Sequence, residues 1–165
     1  MTNLLAFPVL ILAVILQTAV VSRLPLLHGT ADIVLLILVA WCTQERVKNG
    51  WFWVVIGGIL TSFVSALPYY LPLISYLIVA GMIWILQRRV WQSPLLALFT
   101  ATVAGTLVTQ VMSFVALVFN GTPLAWNESL TLVILPSILL NLIFSLPVYA
   151  VISDLAAAVF PQEID

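Results

Sequence analysis

The chain is 165 residues long, 64% hydrophobic and 7% charged, with five Lys and Arg against six Asp and Glu and a formal net charge of −1. An ionised side chain in hydrocarbon costs roughly 2.5–3.5 kcal/mol on insertion scales, so the nearly charge-free stretches 1–22, 49–87, 90–127 and 129–153 read as membrane spans and exclude a soluble domain. Every Lys and Arg except Arg23 falls in two short clusters, Glu45-Arg46-Val47-Lys48 and Arg88-Arg89.

A hydrocarbon core about 30 Å thick needs roughly 20 helical residues per crossing, which leaves room for about six spans and little else. A transmembrane β-barrel requires short segments alternating apolar and polar, whereas these are continuously apolar with Gly and Pro between them. The expected fold is therefore all-α: a polytopic membrane protein, one domain, six transmembrane helices in a compact bundle.

The first helix is expected over about 3–22, too long and too poor in basic residues at its start for a cleaved signal peptide. Pro25 and Gly29 punctuate a turn before a short second helix at 30–43, which is brief for a full crossing. After the polar turn at 44–49, helices at 50–67 and 69–87 are separated by Pro68-Tyr69-Tyr70-Leu71-Pro72. Its prolines break the helix, and its tyrosines suit the headgroup level. Ser93-Pro94 has the form of an N-cap followed by proline at the first helical position, opening a helix over 93–119. Asn120-Gly121-Thr122-Pro123 turns the chain, Trp126-Asn127-Glu128 marks an interface, and the last helix runs over 129–153. Even spans put both termini on one side. The basic residues Arg46, Lys48, Arg88 and Arg89 against Arg23 alone make that side cytoplasmic.

Little in the sequence suggests catalysis. Cys42 and His28 are each the single residue of its type, so neither a disulfide nor a cysteine metal cluster can form within one chain, and no zincin, Walker or serine-elbow motif occurs. No cofactor, metal or nucleic-acid partner is expected. Asp32 and Glu128 read as helix-start carboxylates favoured by the helix dipole. Asp154 is expected to end the last helix, within reach of Arg46, Lys48 or a partner's basic residue. Polar residues at membrane depth recur at helical spacing: Gly57, Thr61 and Ser65 beside Gly58 and Ser62; Thr102, Gly105, Thr106, Thr109 and Ser113 beside Gln110; and Ser137, Asn141 and Ser145. Such stripes let helices approach and bond across their interfaces. The candidates for a buried polar joint or partner interface are Gln17, Asp32, Gln110, Asn141 and Asp154. Among the tryptophans, Trp51, Trp91 and Trp126 are expected at the interface and Trp53 and Trp84 deeper.

In linear order these features resemble MreD, a small membrane protein of bacterial rod-shape determination. The elements that carry the resemblance are Leu16-Gln17-Thr18, Ala31-Asp32 followed by aliphatics, Gly57-Gly58, the stretch from Tyr76 through Gly81 to Arg88-Arg89, Leu139-Leu140-Asn141 and Pro147-Val148-Tyr149. Two departures stand out: Ala31 replaces a usual proline, and Thr61-Ser62-Phe63-Val64-Ser65 lacks the acidic residue many members carry there. The resemblance implies a non-enzymatic subunit of the elongation machinery. It would bind the bitopic protein MreC and, with it, link MreB filaments to a RodA-type glycosyltransferase and a class B penicillin-binding transpeptidase. It also implies the fold of the substrate-binding subunits of energy-coupling-factor vitamin transporters, which is the alternative function. Those subunits carry Ala-x-x-x-Ala in the first helix. Here Ala6 is followed four residues on by Leu10, and Ala13 by Gln17, so the element is absent.

Overall fold

In the computed structural model, which describes residues 2–23, 26–47, 50–87 and 94–160, the chain is all-α. Six helices follow one another: α1 (Ala6–Ala19), α2 (Ile33–Cys42), α3 (Trp51–Val64), α4 (Tyr70–Gln87), α5 (Pro94–Phe119) and α6 (Trp126–Val159). By length and composition α5, with 26 residues, and α6, with 34, can cross a membrane. The other four are apolar helices of 10 to 18 residues. Lys48, Arg88, Arg89, Trp91 and Ser93 lie outside the described residues, as do the C-terminal acids Glu163 and Asp165.

Helix α2 is the hub. Every residue from Ile33 to Trp41 is buried, because a helix apolar on all sides has no face suited to water, and α1, α3, α4, α5 and α6 all pack on it. Its ten residues rise about 15 Å, half the thickness of a bilayer core. The expected second helix at 30–43 is thus shorter than anticipated: Asp32 is its N-cap, not a residue of its first turn.

Two adjacent glycines set α3 between neighbours. A β-carbon on Gly57 would meet Leu38 and Val34 of α2, whereas one on Gly58 would lie 2.7 Å from the Cα of Leu73. The second contact brings the α3 and α4 backbones together with no room for a side chain. The hairpin expected around Pro68 forms, and Pro72 falls in the first turn of α4, where no helical N–H is needed. At the far end of α2, Trp41 stacks on Trp53 with ring centres 4.0 Å apart.

Helix α6 is longer than the expected 129–153 at both ends, and its first half contains a π-turn, Leu130–Ile134. Pro136 explains the turn. Its ring would press on the carbonyl of Leu132, and it has no N–H to donate there. That carbonyl instead accepts from the backbone N–H of His28 at 3.0 Å. The loop that reaches it is a tight turn closed by Leu26 and Gly29, with Leu27 in the left-handed region at φ +56. Gly29 lies so close to α6 that a β-carbon would sit 2.6 Å from the Ser137 nitrogen. Since α6 continues to Val159, Asp154 lies within the helix rather than at its end. Trp53 is buried inside the bundle, whereas Trp84 faces outward from α4.

Candidate functional site

A helix leaves its first N–H groups without internal partners, and α2 begins inside the bundle, so its opening donors must be met by protein. Asp32 supplies the local part: its Oδ1 accepts from the Leu35 N–H at 2.9 Å. The rest comes from other helices. Val34 donates its N–H to Gln17 Oε1 of α1 at 3.2 Å, Asp32 its N–H to Asn141 Oδ1 of α6 at 2.8 Å, and Thr30 its N–H to Ser137 Oγ at 3.2 Å.

The acceptors are themselves held. Asn141 donates from Nδ2 to Thr106 Oγ1 at 2.8 Å, and Thr106 donates to the Thr102 carbonyl at 2.7 Å. Gln110 donates to Ser137 Oγ at 3.2 Å. From α4, the Tyr76 hydroxyl donates to both oxygens of Asp32, at 3.0 and 2.9 Å, and Gln17 adds a side-chain hydrogen bond to the same carboxylate. Thr61 of α3 stands next to the Tyr76 hydroxyl, though its own oxygen completes no well-formed hydrogen bond. The half-buried carboxylate therefore rests on neutral donors and on the positive end of α2, an arrangement in which hydrogen bonds to a charged acceptor are strong.

Of the residues singled out in the sequence, Gln17, Asp32, Gln110 and Asn141 meet in this network. Asp154 does not: it is exposed and lies about 20 Å farther along α6 than Asn141. Thr106 and Ser137 belonged to the polar stripes without being singled out. Tyr76 was missed. The available signal was a phenol well inside a largely apolar helix, whose hydroxyl needs a partner when buried. Among the described residues no group of three or more His, Cys, Asp or Glu is placed to hold a metal ion. What the network does physically is tie α1, α4, α5 and α6 to the start of α2.

No family model, curated protein or solved structure matches the chain.

Proposed function

We propose that the chain is a six-span scaffold subunit of the inner membrane, of the MreD type its sequence resembles. Both termini would be cytoplasmic, and its helices would hold the transmembrane segment of a bitopic partner corresponding to MreC. In that role it contributes no chemistry. It fixes the orientation of the partner and, through it, of the filament and cell-wall synthases of the elongation complex.

The observation that carries this reading is the division of polarity. The hydroxyl, amide and carboxylate groups at the start of α2 are engaged with one another inside the bundle, whereas large apolar side chains face outward on every long helix, among them Phe63, Phe119 and Val151. A surface of that kind suits lipid and other helices, and a scaffold needs its polar groups for internal rigidity. An open apolar groove between α5 and α6, bordered by Phe99, Val103, Leu107 and Leu142, offers a place for a further helix to pack.

The test is affinity purification of the tagged chain from its native membranes in mild detergent, with mass spectrometry of what accompanies it. Recovery of an MreC-type protein with cell-wall synthases is the expected result. Recovery of an ATPase pair with a coupling subunit would overturn it in favour of a vitamin-binding component.

A further inference from the structure

The Asp32 carboxylate carries its charge inside the polar joint with no cation among the groups that act on it, which are the Leu35 and Val34 N–H groups, the Tyr76 hydroxyl and the Gln17 side chain. Of the side chains that the surrounding helices bring to the joint, Gln17 from α1, Thr61 from α3, Tyr76 from α4, Thr106 from α5 and Asn141 from α6, only Tyr76 is titratable. Arg23, His28 and Glu128, on the connections nearby in sequence and at the head of α6, are exposed, and none of them acts on the carboxylate. Every neighbour aimed at Asp32 is a donor. A metal ion would need those carboxylate oxygens and others besides, yet Gln17 Oε1 and Asn141 Oδ1 already accept backbone N–H groups. The ligand such a cluster can take is a proton.

Two details show where the proton would go. The Tyr76 oxygen lies 3.0 Å from Oδ1 and 2.9 Å from Oδ2, and a phenol oxygen can accept as well as donate. Beside it stands Thr61 Oγ1, a buried oxygen with no partner. The ionised joint leaves that oxygen unused, at the cost of a desolvated group, whereas a protonated joint employs it. A proton from water, which reaches Asp32 because the residue is only half-buried, forms an O–H bond at Oδ2. That hydroxyl donates to Tyr76 Oη, and the Tyr76 O–H turns from Asp32 to Thr61 Oγ1. No covalent bond breaks in the joint, and its negative charge is lost. Oδ1 keeps the Leu35 N–H, so the cap of α2 survives, while α4 exchanges its donation to α2 for one to α3.

We propose that Asp32, Tyr76 and Thr61 form a proton-binding relay whose hydrogen bonds reverse direction when Asp32 takes up a proton. The experiment is an infrared difference titration of the full-length protein in detergent, reading the C=O stretch of protonated carboxyl groups, with circular dichroism marking the pH range over which the fold persists. The component lost in Asp32→Asn belongs to Asp32. Tyr76→Phe removes a donor to the carboxylate and should raise the midpoint of that component by about one pH unit. Thr61→Val removes only the acceptor used after protonation and should lower it by about half a pH unit, and Thr61→Ser should restore the wild-type midpoint. Opposite shifts at two neighbouring hydroxyls are what a reversing relay produces and a rigid cap does not. Thr61→Val leaves every bond of the ionised joint in place, so its result stands whether or not Tyr76→Phe folds. Absence of any Asp32 component while the fold persists overturns the proposal, as does a midpoint unmoved or raised in Thr61→Val, which would leave Asp32 a helix cap and nothing more.

Discussion

At its start, α2 hands the N–H groups of Val34 and Leu35 to side-chain acceptors, and the flanking N–H groups of Thr30 and Asp32 find theirs on α6. At its other end, the Trp41 indole and the Gln44 amide are buried with no acceptor among the described residues. Both ends belong to one ten-residue helix whose apolar body is enclosed alike throughout, so the contrast is not one of burial. It separates a joint where helix-start N–H groups meet side-chain acceptors, although the nearby Thr61 and Thr102 hydroxyls have no partner, from an end where an indole and an amide N–H are left without one.

Three substitutions sharpen that contrast, read by thermal denaturation in detergent. Gly29→Ala should have the largest effect, about 3 kcal/mol of destabilisation, since the new methyl would meet the Ser137 nitrogen and the Val133 carbonyl, backbone atoms that cannot swing aside. Asn141→Leu keeps the branching of the side chain but strands the Asp32 N–H and removes the donor to the Thr106 oxygen, and should cost about 2 kcal/mol. Gln44→Leu, at the other end, should leave stability within about 0.5 kcal/mol of the wild type, because it removes an amide donor that bonds to nothing. A loss at Gln44 as large as that at Asn141 would break the distinction between the two ends.

The helices themselves were legible because each is a local matter. Runs without charge, the Pro and Gly turns and the proline opening α5 act within a few residues, and the expected segments overlap all six observed helices. Their limits were less so. Helix α6 extends to Val159 past the expected end because Asp154 is exposed and carries no penalty for continuing the helix. The π-turn in α6 had a local cause in Pro136, but the N–H that donates to the freed Leu132 carbonyl comes from His28, far off in the sequence.

Of the polar joint, the sequence showed Gln17, Asp32, Gln110 and Asn141 as groups needing partners at depth, a requirement set by desolvation alone. It could not show which partners they would find. Tyr76 meets Asp32 across 44 residues and Asn141 meets it across 109, separations over which no periodicity speaks. The amino-acid sequence by itself determined an apolar all-α chain and the places where it turns, because transfer costs and backbone breaks are paid residue by residue. Only the tertiary structure decided that the shortest helix lies at the centre, with side-chain acceptors at one end and unmet donors at the other, because helix packing is set by contacts among all six helices at once.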